Sequence, residues 1–227
     1  QRESFYTESP GRRRTDRIFD ETAVVGVQEF ASRLQAGIVP NYTRWADFTA
    51  GSEVPLEEKR EVNTTLDQVT EYVFEILQNS NFSQEIHESF LDIALGTGVL
   101  LVEEGDAVAP IKFKAVPLPQ VCMTSGHDDR VDHIFRRRMI RMKELAVAYP
   151  NAEINEKMAM DMQKNADKEC EIIEVVYRNY YNLKEEEYHF CAISKEYELK
   201  LYQETYKGLG SNPFIVYRWS KCAGETY

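Results

Sequence analysis

A chain of 227 residues, 43% hydrophobic and 11% aromatic, has enough apolar surface to offset chain entropy, which excludes a disordered protein and leaves room for one domain or two small ones. Its formal net charge of −11 excludes a general nucleic-acid binder, because holding phosphates takes clustered Lys and Arg. Cys122, Cys170, Cys191 and Cys222 stand far apart, with no CxxC pair and no histidine at ligand spacing, so they point to free thiols rather than a zinc site or a disulfide framework.

Residues 1–14 are polar, with Pro10-Gly11 and the run Arg12-Arg13-Arg14, and are expected to form an arm. From Thr15 the apolar positions Phe19, Ala23, Val27, Phe30, Leu34 and Ile38 recur at steps of four or three, predicting a helix over 15–38, capped by Thr15 or Asp16 and ended by Pro40. Trp45 and Phe48 follow in a loop-rich stretch, where large aromatics pin a loop to the body. Val62, Leu66, Val69, Val73 and Ile76 repeat the same pattern and predict a second helix over 56–79, partnered by the helix that begins at Phe82.

Phe82, Ile86, Phe90 and Ile93 predict a third helix over 82–95, with Ser80 and Asn81 as caps and Gly96 as the left-handed stop. Val99–Val102 is too short for a helix and reads as a buried strand. Gly96-Thr97-Gly98 is not a phosphate loop: phosphate-binding glycines follow a strand and open a helix, and here the order is reversed.

Residues 111–116 alternate as a strand bounded by Pro117 and Pro119, giving a hairpin with the strand before it. After a turn at 126–129, residues 131–140 form a strand with Ile134, Arg136 and Arg138 on one face and Phe135, Arg137 and Met139 on the other. Short helices over 142–149 and 152–165 and strands over 171–181, 188–194, 196–206 and 214–219 complete the pattern. The expected fold class is α+β, with long amphipathic helices of the N-terminal half packed on a mostly antiparallel sheet from the C-terminal half. The expected parts are an arm over 1–14, a helical part over 15–97 and a mostly β part over 98–227. A start at Gln1 and an end at Tyr227, directly after a strand, point to a piece of a longer polypeptide.

His87, His127, His133 and His189 lack metal-ligand spacing, and there is no GxSxG elbow, HExxH helix or Asp-x-Asp pattern. No catalytic, cofactor-binding or metal residue is therefore assigned. An enzyme acting on a small molecule is the alternative; it would need a pocket joining several of His87, His133, Asp92 and Glu103, while a generic adaptor or scaffold is another. No stretch is long and apolar enough to span a bilayer, and no signal sequence opens the chain.

The run Arg17-Ile18-Phe19-Asp20-Glu21-Thr22-Ala23, then Ala31-Ser32-Arg33-Leu34-Gln35 with Pro40 and Trp45, then Ser80-Asn81-Phe82 and Gly96-Thr97-Gly98, resembles the head-to-tail connector, or portal, proteins of short-tailed bacteriophages. Pro117-Leu118, the Asp128–Asp132 turn and the ending at Pro213–Trp219 and Gly224–Tyr227 are similar too, so the resemblance spans nearly the whole sequence. It implies a non-enzymatic subunit of a ring, typically of twelve copies, at one capsid vertex of the virion, through which the genome is packaged and ejected. The implied fold is the outer wing-like region, and the implied partners are the subunit itself, the major capsid protein, scaffolding protein, terminase, tail adaptor proteins and double-stranded DNA passing through the ring, with no membrane and no cofactor. A head-to-tail ring needs two different complementary patches, which makes Arg12, Arg13, Arg14, Arg136, Arg137 and Arg138 candidates for contact with a neighbour's carboxylates at Glu57-Glu58 or Glu185–Glu187.

Overall fold

The computed structural model describes residues 20–182 and 184–220; the arm, Phe19, the Arg12–Arg14 run, Cys222 and the ending at 224–227 lie outside them. The chain forms two compact units, one reaching to Ala115 and including Tyr217–Trp219, the other built from Val116–Val216.

In the first unit, α1 (Thr22–Ile38) starts where the Asp20 carboxylate accepts bonds from the amide and the hydroxyl of Thr22, at 2.9 and 2.5 Å. These bonds hold the Asp20 carboxyl below its usual range and satisfy a helix-end donor that has no partner inside the helix. Ala31 and Leu34 are the buried residues of α1, as the periodicity predicts for Leu34. Its first turn, Thr22 to Val25, stays exposed.

α2 (Lys59–Asn79) keeps most of its apolar stripe on the less exposed side: Val62, Leu66, Val73 and Ile76 are half-buried, Val69 is 43% exposed, and the one fully buried residue is Thr70. Thr70 meets the segment 40–57, whose backbone amides have no helix or strand to join. Thr70 Oγ1 accepts from Phe48 N at 3.2 Å and Asn63 Oδ1 accepts from Ala50 N at 2.8 Å, while Trp45 packs edge-on against Phe74 at 5.3 Å and stacks on Phe82 at 6.3 Å. Backbone amides shielded from water must find acceptors, and Thr70 and Asn63 supply them beside the half-buried apolar residues of α2. Trp45 pins the loop as expected, whereas Phe48 is held by its backbone.

α3 (Phe82–Ile93) buries Ile86, Ser89, Phe90 and Ile93. Ser80 Oγ caps it by accepting from Phe82 N at 3.1 Å. Asn81, expected as a second cap, is used elsewhere. The helix stops at Ile93, and Gly96 follows at φ 123°, a conformation that disfavours any side chain. β1 (Thr97–Glu104) takes up Thr97 and Gly98; a Cβ on Gly98 would lie 2.6 Å from the Tyr217 ring and 3.0 Å from Ser89 Oγ, so glycine here permits close packing. β2 (Ile111–Ala115) pairs antiparallel with β1, and β8 (Phe214–Arg218) lies on β1's other side. Leu100 and Phe113 join α1 and α3 in one core.

This corrects two expectations. The helices cover the β2-β1-β8 sheet rather than the larger sheet of the C-terminal half, and the β1–β2 hairpin belongs with the helical part because α3 and β1 bury complementary apolar faces.

The outer edge of β2 is closed by side chains. Asn81 Nδ2 donates to Phe113 O at 2.7 Å, Asn81 Oδ1 accepts from Phe113 N at 2.9 Å, and Glu85 Oε2 accepts from Ala115 N at 2.7 Å. One asparagine thus gives Phe113 both bonds that a neighbouring strand would give, which protects an edge otherwise open to foreign pairing.

The second unit is an antiparallel sheet in the order β3-β4-β5-β6-β7: β3 (Val121–Ser125), β4 (Val131–Arg141), β5 (Glu169–Arg178), β6 (Glu187–Ser194) and β7 (Leu199–Lys207). α4 (Leu145–Ala148) and α5 (Glu156–Lys164), the latter capped by Asn155 Oδ1 on Met158 N at 2.9 Å, supply Leu145 and Met158 to a core with Ile140, Ile172 and Leu201. β3 was not expected. It is an edge strand with no buried residue, so its sequence carries no inside-outside contrast.

Replacing Asn81 with Ala removes both bonds to Phe113 and is expected to cost about 1–3 kcal/mol. Urea denaturation measures this; an unfolding midpoint equal to the parent's would mean that the β2 edge does not rely on Asn81.

Candidate functional site

β4 carries the only Arg triplet within the described residues, and its alternation sends Arg136 and Arg138 inward and Arg137 outward. Arg136 stands directly opposite Glu174 on β5. Their side chains are 2% and 3% exposed; Arg136 Nη1 lies 3.2 Å from Glu174 Oε2, and Arg138 Nη1 lies 2.6 Å from Oε1. Tyr149 donates its hydroxyl to the same Oε1 at 2.7 Å. Burial, followed by the Glu174 charge, drives the Tyr149 hydroxyl far up, so it stays protonated and serves as a donor. Arg137 pairs with Glu171 at 2.9 Å on the outer face. The triplet thus finds its carboxylates in its own chain. The expectation that Arg136 and Arg138 face a neighbour is corrected, because both point into the unit where Glu174 compensates them.

A second ionic group sits where the β3–β4 turn meets the end of β5. Arg178 holds Asp128 at 3.0 Å and lies over the Tyr180 ring at 5.3 Å, and Tyr180 donates its hydroxyl to Asp132 Oδ2. Burial raises the Asp132 carboxyl, but Tyr180 and His133 outweigh it and hold the group below the usual carboxylate range. Burial and then Asp132 push the Tyr180 hydroxyl up to about 12. A Cβ on Gly126 would fall 2.7 Å from Asp132 Oδ2, so glycine is what lets the turn close over this pair. Nearby, Glu187 accepts from Asn179 at 2.8 Å and Asn182 at 2.9 Å.

Beside this corner is an open cleft of about 430 Å³ lined by Asp129, Arg130, Glu186, Tyr188, Asn212 and Phe214. Among these residues no nucleophile faces a base. Among the described residues no grouping of His, Cys, Asp and Glu is placed to hold a metal, and no helix is long and apolar enough to cross a membrane. The histidines have local partners: His87 with Gln35 at 3.0 Å, His133 with Asp132 at 2.8 Å, His189 with Thr205 at 3.0 Å, and His127 edge-on to Tyr180 at 5.8 Å.

The motif residues within the description have structural positions: Asp20 and Thr22 start α1, Leu34 and Phe90 fill the core, Trp45 and Phe82 stack, Ser80 caps α3, Asn81 closes β2, and Gly96, Thr97 and Gly98 turn the chain into β1. Tyr149, Glu174 and Tyr180 were not singled out, and Asp132 only as the end of the Asp128–Asp132 turn. For Asp132 and Glu174 the signal is present, since each occupies an inward position among apolar neighbours on its strand.

Fold and ionic groups together define an α+β protein whose charges fasten strands to one another. The family model described as bacteriophage head to tail connecting protein matches residues 1–227, and the chain belongs to that family. No curated protein matches it. Membership makes it a structural component of the phage head-to-tail junction, a family that self-associates and meets head and tail components.

Glu174→Ala leaves two guanidiniums without their shared carboxylate and is expected to cost about 3–5 kcal/mol in denaturant unfolding, since breaking a buried pair strands the other charge. A loss below about 1 kcal/mol would mean that the cluster contributes nothing. For Asp132 the folded carboxyl is depressed relative to the unfolded chain, so its stabilisation is present above the unfolded value and disappears as pH falls through the folded one. Tyr180→Phe removes a bond to that carboxylate; it is expected to lower stability at neutral pH by about 1–2 kcal/mol and to move acid unfolding to higher pH. An unchanged acid transition would separate Tyr180 from Asp132.

Proposed function

We propose that this chain is a subunit of a portal ring of twelve copies at the unique capsid vertex, forming the conduit for genome packaging and ejection and the attachment point of the tail. The observation that carries this reading is the connector-family match over residues 1–227. The charge distribution supports it. In the first unit 20 carboxylates stand against 12 Lys and Arg, and the ring has to let DNA slide rather than grip its phosphates. Capsid protein, scaffolding protein, terminase and tail adaptors are the partners such a ring meets, and its place is the virion, after assembly in the host cytoplasm.

Mass measurement and particle images of the full-length protein test the proposal. A closed ring is expected. A protein that stays monomeric at high concentration would overturn it.

A further inference from the structure

We propose that the open edge of β8 takes an extended, uncharged segment of another protein as an added strand, and that the cleft beside this edge receives one of the segment's apolar side chains. The family meets head and tail components, and such a component is the partner that the edge fits. Neither feature depends on the number of copies in the assembly.

Phe214, Ile215 and Val216 all line the cleft. Side chains of a strand alternate between its faces, so three successive residues line one cleft only where the strand's edge is turned toward it. That edge is the outer one. β8 pairs with β1 on its other side, and the Trp219 amide, just past the strand, donates to Gly96 O at 3.1 Å. Alternate residues face the same way, so Ile215 and Tyr217 turn their amides to β1, and Phe214 and Val216 turn theirs away. Phe214 N accordingly donates to Asn212 Oδ1, at 2.9 Å, and not to a strand. The sheet's opposite edge, β2, is closed by Asn81 and Glu85, whereas no side chain bonds to Val216 among the described residues. A bare edge invites foreign pairing, and here it lies where a cleft can select what pairs.

The charges of the cleft are already compensated. Glu186 Oε2 accepts from Gly210 N at 2.8 Å, its Oε1 lies 3.6 Å from Arg178 and 3.9 Å from Arg130, and Asp129 has a partner as well. A free cation or anion therefore gains little there. Tyr188 is different: it is 4% exposed and lines the cleft, yet its hydroxyl makes no hydrogen bond to any described residue. Burial, followed by the Glu186 charge, pushes that hydroxyl up, so it stays protonated and can donate. Asn212 uses its carbonyl on Phe214 N and leaves its amide hydrogens without an acceptor among the described residues. A buried hydroxyl without a partner is costly, so Tyr188 marks a place where an acceptor belongs. Neutral donors beside a bare strand edge match a peptide backbone, whose carbonyls accept from them and whose other side pairs with the strand. Val131 and Phe214 supply the apolar wall for a side chain.

Hydrogen exchange read by mass spectrometry tests this on the full-length protein, with the neutral peptide acetyl-Thr-Val-Thr-Val-Thr-amide at about 5 mM as the probe. Exchange over 214–218 is expected to slow about threefold or more, and the same peptide N-methylated at every residue is expected to have no effect, because it cannot pair with an edge. Val216→Pro removes an outward amide at an edge position, where proline is tolerated, so this variant is expected to keep the parent's melting temperature and lose the effect. Tyr188→Phe deletes a hydroxyl that holds nothing in place; it is expected to keep the fold and weaken peptide binding about tenfold. No slowing over 214–218 in the parent would overturn the proposal, as would equal slowing in Val216→Pro or, should that variant fail to fold, parent-like binding by Tyr188→Phe. Slowing confined to β3 or β7 would place the added strand on the five-stranded sheet and overturn it too. Peptide affinity that falls as the protein's own concentration rises would make a second copy the occupant and overturn the partner named here.

Discussion

Backbone amides that belong to no helix or strand still need acceptors when water is excluded, and the first unit is organised by how its helices meet that need. Asp20 serves the start of α1, Asn63 and Thr70 serve the segment 40–57, and Asn81 and Glu85 serve β2. Each is a short polar side chain on or beside a helix, aimed at a backbone with irregular or one-sided pairing. The helices therefore hold non-helical segments in place, and α2 does so through Asn63 and Thr70 beside its apolar stripe.

The second unit meets a related demand with charge. Arg136, Arg138, Glu174 and Tyr149 form a compensated cluster inside the sheet, and Asp128, Asp132, Arg178 and Tyr180 form another at its corner. Buried ions are a weak source of net stability, but they penalise strand slippage severely, because a one-residue shift of β4 would turn Arg136 to the other face and leave Glu174 buried without it. Register is the property they protect.

Much of the chain could be read from its sequence. Phe82, Ile86, Phe90 and Ile93 mark α3 because helix period and burial coincide there, and the strands of the second half other than β3 follow from alternation. On α2 the apolar stripe marks a mostly half-buried side, whereas Thr70, its one fully buried residue, was not legible because its partner Phe48 lies 22 positions away in a loop. Asn81 was legible as a cap residue by type, yet its partner Phe113 lies 32 positions away, beyond any local rule. The same holds for Arg136 and Glu174, 38 positions apart, whose meeting depends on strand pairing. For these residues the inward parity of a charged side chain was the available clue.

Tyr217 donates its hydroxyl to Ser89 at 2.6 Å and packs against Phe90, and Trp219 returns to Gly96 and Phe30. The second unit is thus an insertion within the first, and this fixes an order of events at the ribosome. Residues 116–216 contain every strand of the five-stranded sheet and can pair as soon as they emerge, whereas the earlier-made helices wait for Tyr217 to complete their core. Synthesis runs from N- to C-terminus, but completion runs the other way: the unit begun first is finished last, and its apolar surface stays open for the translation of about a hundred residues, roughly 5–20 s at typical elongation rates.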